Sequence, residues 1–342
     1  MSNTEAARPS RVIGLLRLIP GIVLACLLGL AAMWVGQAWP IPPVLAALAL
    51  GIGLSFLFDR PALTGGIEVS ARDLLRVGVA LLGAKVTFSE IAAMSWAVPV
   101  ILTATGLCLF LGVRIGKLCG LDTPLATVSA GAVAICGASA ALAVSSALPP
   151  RPNADAEAAT VVAGVTVLGT VAMIAYPLLS HLLRFDAAET GIFLGASLHE
   201  VAQAVGAGFA VSDDVGHVAT TAKLVRVAAL APLVLLVGWM VTVKAPREAG
   251  AARPALLPWY LVAFIALAAM ASFNLFDPQV ADAASQTSRF FLLTAIAALG
   301  LKTKPGKLLR AGPALITALL LQSLLLLGLV IAGVYALRLI PT

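Results

Sequence analysis

The chain has 342 residues, of which 61% are hydrophobic and only 11% charged, with a mean hydropathy of +1.03. A soluble domain carries roughly a quarter of its residues as charges, so that class is excluded. The net charge of +6 sits as Lys and Arg in short segments between apolar runs, with no basic stripe interleaved with aromatics, which excludes a nucleic-acid partner.

Apolar runs long enough for a bilayer recur from end to end, and a lipid bilayer is the implied surrounding. They fall near residues 17–36, 40–58, 73–88, 95–116, 124–148, 158–183, 190–211, 217–243, 257–274, 287–302 and 312–337, eleven expected spans. The first follows Arg8, Arg11 and Arg17 and resembles a signal peptide. It is long and lacks a clean small-residue cleavage site, so it reads as an uncleaved span. Glu68, Arg72 and Asp73 precede the third run and read as a solvated loop.

With the N-terminus inside, sixteen of the 22 Lys and Arg fall on the cytoplasmic side and four on the outer side, Lys85, Arg151, Arg289 and Arg338. The remaining two, Lys223 and Arg226, lie within a span. That asymmetry predicts a bacterial inner-membrane protein, multi-pass, with a cytoplasmic N-terminus and a periplasmic C-terminus. Four scattered cysteines, Cys26, Cys108, Cys119 and Cys136, form no CxxC or Cys/His cluster, so neither a disulfide framework nor a metal site is indicated.

The segments Leu74–Ala84 and Leu224–Val234 resemble one another, with Arg76 matching Arg226, and lie five spans apart in opposite orientation. They suggest inverted five-helix halves, 37–185 and 186–342, after a leading segment 1–36. A second match, Leu81–Lys85 with Ala298–Lys302, suggests a different pairing. The fifth span is rich in Gly and Ser around Gly137, and the tenth has only about a dozen apolar residues before Lys302. Interrupted or short spans at equivalent places point to a transporter binding site.

Three constellations could carry chemistry. In "GASLHEVAQAVGAG", Gly195–Gly208, a continuous helix would project His199, Glu200 and Gln203 from one face. HEVAQ lacks the second histidine of HExxH, so zinc protease chemistry is not supported. Ionisable groups at bilayer depth are costly and mark pathways, although interhelical hydrogen bonding is the simpler role. Lys223 and Arg226, three apart, could bind an anion between them or pair with Glu200. In "ICGASAA", Ile135–Ala141, a break at Gly137 would expose helix N–H groups beside Ser139, a natural oxyanion site. Close helix packing through small residues is the alternative.

Together with "LLRVGVALLGAKVTFSEI", "AKLVRVAALAP" and "AALGLKT", these segments resemble the YeiH-type sulfate exporter family of bacterial inner-membrane proteins, over about Leu45 to Val334. The resemblance implies a carrier of sulfate or a related sulfur oxyanion. It also implies kinship with inverted-repeat transporters of the bile-acid symporter and sodium/proton antiporter type. The expectation is an all-α secondary transporter of a small anion, not an enzyme, without a cofactor, and with homo-oligomerisation left open. Arg226, Lys223, Gly137, Ser139 and Gln203 would bind substrate, and Glu200 and His199 would couple transport to a proton. A sodium- or proton-coupled organic-anion importer and an intramembrane enzyme are the alternatives.

Overall fold

The computed structural model describes residues 16–39, 41–89, 94–149, 151–229, 259–303 and 312–339. Residues 230–243 of the expected eighth span lie outside these, as do Arg8, Arg11, Lys244, Arg247, Arg253, Lys304, Lys307 and Arg310. The described residues contain helices and no strand. Among the described residues, four helices are long and apolar enough to cross a membrane: Ile19–Ala38, Ala97–Leu118, Ala154–Leu182 and Pro313–Leu337. The chain is a helical membrane protein.

Contacts divide it into two compact units, Met1–Gly78 with Arg289–Lys302, and Val79–Ser288 with Thr303–Thr342. In the first, α1 (Ile19–Ala38) and α2 (Pro43–Gly53) lie against helical residues 289–302. A third helix begins at Pro61 as α3 (Pro61–Val69), passes through a π turn at Ser70–Leu74, and continues as α4 (Leu75–Leu82). Glycines set these approaches: Gly21 and Gly66 bring α1 and α3 together, and Gly51 meets Gly300, since only small residues let membrane helices touch at backbone distance. The expected solvated loop at Glu68, Arg72 and Asp73 is therefore helical. Asp73 pairs with Arg72 at 2.9 Å and with Arg76 at 3.5 Å, and Glu68 is exposed.

The second unit contains α5 (Ala97–Leu118), α6 (Thr123–Gly131), α7 (Ala138–Ala147), α8 (Ala154–Leu182), α9 (Ala187–Ser197), α10 (Val201–Val211), α11 (Asp213–Ala228) and α12 (Trp259–Ser272). Two further helices are α13 (Pro278–Lys302), which the division into units cuts at Arg289, and α14 (Pro313–Leu337). The tenth span, expected to be short, is this unbroken 25-residue α13, because polar residues upstream of Phe290 join the helix.

The fifth and seventh expected spans do not run straight through. Asp122, which caps α6, accepts from Arg151 beyond α7 at 3.1 Å. A straight helix of 25 residues would hold them roughly 37 Å apart. α6 and α7 therefore form a hairpin that turns at Gly137, after a π turn at Ala132–Cys136. Gly137 has φ +55 and ψ −116, a conformation that side chains disfavour.

The second hairpin is α9 and α10, broken by extended backbone at Leu198 and Glu200. Gly191 and Gly208, 17 positions apart, both approach the Val215 carbonyl of α11, which requires the chain to fold back. An Asp186–Glu189 capping box starts α9. Ser212 follows α10 and caps α11, fixing a one-residue turn.

The hairpins enter from opposite ends of α8. Arg151 joins Asp122 to Glu157 at the start of α8, at the base of the first hairpin. At the other end, Arg338 after α14 pairs with Glu189 and bonds the Arg184 carbonyl, at the base of the second. α8 has 29 residues, about 43 Å of helix, and the two tips meet beside its middle. Arg151 and Arg184 consequently lie at the ends opposite to those the straight-span reading gave them.

Candidate functional site at the meeting of two hairpin tips

Breaking a helix exposes carbonyls at the end of its first half and N–H groups at the start of its second. Both hairpins create such ends at one place, and α11 supplies what the carbonyls need. Lys223 Nζ donates to the carbonyls of Ile135 at 2.8 Å, Leu198 at 2.6 Å and His199 at 2.7 Å. The Arg226 guanidinium donates to Val133 and Ala134 of the first tip and to Ala196 and Leu198 of the second, over 2.5–3.1 Å. Eight hydrogen bonds thus reach six carbonyls of both hairpins. Both cations have 0% exposure. Cations favour helix C-terminal ends, which carry partial negative charge, and that is how two like charges are tolerated one helical turn apart.

The three ammonium protons and five guanidinium protons all point at backbone oxygen. Neither residue presents a free donor to an anion, and the alternative pairing of Arg226 with Glu200 is not what the geometry shows. The expected direct anion contacts would require the tips to separate.

The second-half ends are treated differently. Glu200, extended and half-buried, precedes α10, and its backbone N–H donates to the Gln203 side-chain oxygen at 3.0 Å. The Gln203 amide donates in turn to the Thr166 carbonyl at 3.2 Å, which Gly169 permits by leaving room for it. Thr166 Oγ1 donates to Glu200 Oε1 at 2.7 Å. The Glu200 side chain packs on Gly137, where a Cβ would lie 2.7 Å from its Cγ. The tips therefore touch through Gly137 and Glu200, and the carboxylate lies at the start of α7, where negative charge is favoured. Ser139, in the first turn of α7, is half-buried.

His199 does not share a helical face with Glu200 and Gln203, because it lies in the break. Its Nε2 meets Ser323 Oγ of α14 at 2.8 Å. Ser323 Oγ donates to the Leu319 carbonyl at 2.7 Å, so the imidazole Nε2 carries the proton that bonds it. Nδ1 is then a buried acceptor with no hydrogen-bond donor among the described residues. Sequence reasoning passed over Thr166, Ser323, and Gln322, which ties α14 to Gly112 and Ser129 at 2.9 and 3.1 Å. A hydroxyl or amide in an apolar helix gives no signal of its partner. Among the described residues no group of three or more His, Cys, Asp or Glu is placed to hold a metal ion.

Residues 20–319 match the family model described as conserved hypothetical protein 698. The chain is 39% identical over 321 residues to the UPF0324 membrane protein TauZ of Paracoccus pantotrophus, covering 93% of this chain and 95% of that one. It is 38% identical over 322 residues to a UPF0324 membrane protein of Rhizobium meliloti, covering 92% and 90%. It is 34% identical over 348 residues to the UPF0324 inner membrane protein YeiH of Escherichia coli, covering 96% of each. No solved structure matches the chain.

Proposed function

The chain belongs to the family of UPF0324 membrane proteins, and from that premise we propose that it is a secondary-active transporter of a small anion, of the sulfur-oxyanion class, coupled to protons. The observation that carries this reading is the meeting of two opposed hairpin tips, where two buried cations hold the carbonyl ends and one carboxylate lies at the second-half ends. Opposed hairpins with discontinuous helices suit alternating access, since each tip can seal one side of a central site. The family resemblance supports the sulfur oxyanion.

In this reading the protein spans the inner membrane with its N-terminus in the cytoplasm and its C-terminus in the periplasm. The first hairpin enters from the cytoplasmic side and the second from the periplasmic side. Lys223 and Arg226 hold the tips and set a positive field, and the anion meets the second-half ends near Gly137, Ser139 and Gln203. Two charges about 4 Å apart at an effective dielectric of about 20 interact by about 4 kcal/mol. An ionised Glu200 therefore opposes an anion beside it, and protonation of Glu200 accompanies anion binding. His199, bridging the second tip to α14, relays the proton. The five-helix halves 37–185 and 186–342 remain part of the proposal, as does homo-oligomerisation.

Radiolabelled sulfate flux into proteoliposomes of the pure protein, with imposed pH and sodium gradients, tests this. Flux driven by a pH gradient alone supports it. Sulfate flux that needs sodium overturns the proton coupling, flux of an organic anion in place of sulfate favours the organic-anion importer, and absence of flux for every small anion tried removes the transporter reading.

A further inference from the structure

The carbonyls around Lys223 are arranged as a cation site. Unwound backbone and half-helix C-terminal ends are where transporters with discontinuous helices bind their coupling cations. Here Ile135 from the first tip and Leu198 and His199 from the second turn three oxygens toward one point, and the Lys223 ammonium occupies it at 2.6–2.8 Å. A neutral donor could bond these oxygens, but it would leave the partial negative charge of two helix ends to Arg226 alone. The Arg226 guanidinium, Cys136, Glu200 and His199 lie within electrostatic range of the Lys223 ammonium. With Lys223 completely buried and its donors all engaged, a free cation has no way to share the place.

We infer that Lys223 is a tethered stand-in for a monovalent cation at the junction of the tips, so that the hairpins close without sodium. The site left by removing it would accept a small monovalent cation, with ammonium and methylammonium the closest chemical match to the lost group. The inference concerns how the tips are held and does not depend on which anion is carried.

The test uses the full purified chain in detergent and its thermal unfolding midpoint in sodium, ammonium, methylammonium or choline chloride at one ionic strength. The wild-type midpoint should be the same in all four. Lys223→Ala should unfold several degrees lower in choline and recover most of the loss, saturably, in ammonium or methylammonium. Lys223→Met, which fills the space without charge, should not recover. A Lys223→Ala variant equally unstable in all four salts would overturn the inference. So would a wild type stabilised saturably and selectively by sodium, and that measurement decides the matter if Lys223→Ala cannot be purified. Because flux is not measured, failure here leaves the anion-transport reading to its own test.

Discussion

Asp122 and Arg151 stand 29 positions apart in the chain and 3.1 Å apart in space. This contact shows that an apolar segment long enough to cross a bilayer is a hairpin that enters and leaves at the same end. In a cysteine-free background, Asn153→Cys should react with an impermeant thiol reagent from the cytoplasmic side and Ala187→Cys from the periplasmic side. Straight fifth and seventh spans would reverse both results.

The contact between the tips leaves no room for a side chain at Gly137. Its φ of +55 is already costly for any other residue, and a Cβ would press on Glu200. Gly137→Ala should lose about 1–3 kcal/mol of stability from backbone conformation alone. The thermal midpoint should fall accordingly, with anion flux falling further because Glu200 is displaced. A variant with wild-type midpoint and flux would show that the turn is not held in this form.

Arg226→Lys keeps the charge and loses the fork. Four of the five Arg226 hydrogen bonds go to Val133, Ala134 and Ala196, and one ammonium replaces only one or two of the five, whereas Leu198 retains Lys223. At about 0.6 kcal/mol per hydrogen bond in a membrane interior, three to four lost bonds amount to roughly 2 kcal/mol. For a chain of 342 residues that is a midpoint lower by about 3 °C. An unchanged midpoint would mean that the guanidinium geometry is immaterial to the tips.

At the base of the second hairpin, Arg338 holds the Glu189 carboxyl below the usual carboxylate range, chiefly by hydrogen bonding, with help from the Asp186 N–H. A depressed carboxyl contributes stability above its ordinary pKa and loses it as pH falls through the lower value. The stability difference between wild type and Glu189→Gln should therefore be present at about pH 7 and fade on acidification below about pH 4. A difference that grows as pH falls would assign the contact to something other than the ionised carboxylate.

Helical class, the break near Gly137 and the presence of charged residues inside the apolar run at 199–226 were legible because each rests on local chemistry. Apolar length marks a membrane helix, glycine marks a turn, and charge in an apolar run marks a site. The doubling back was not legible, because a hairpin of two ten-residue helices has the same hydropathy as one straight span. Charge counting could not reveal it either: Arg151 and Arg184 exchange ends, and sixteen against four stays sixteen against four. The face shared by His199 and Gln203 failed for a related reason. Periodicity assumes continuous helix, and the helix stops at Ser197. The partners of Lys223 and Arg226 are backbone carbonyls, which every sequence contains and no sequence pattern marks.

The most direct test of the central claim, that Glu200 couples a proton to the anion at the hairpin junction, is sulfate affinity and flux in proteoliposomes across about pH 5 to 8. Wild type should bind and carry the anion more strongly toward the acidic end. Glu200→Gln should bind at least as tightly as wild type and lose the pH dependence, and His199→Gln should keep binding but slow the flux. A Glu200→Gln protein with the wild-type pH profile would contradict the account, and the junction would then be a structural clasp.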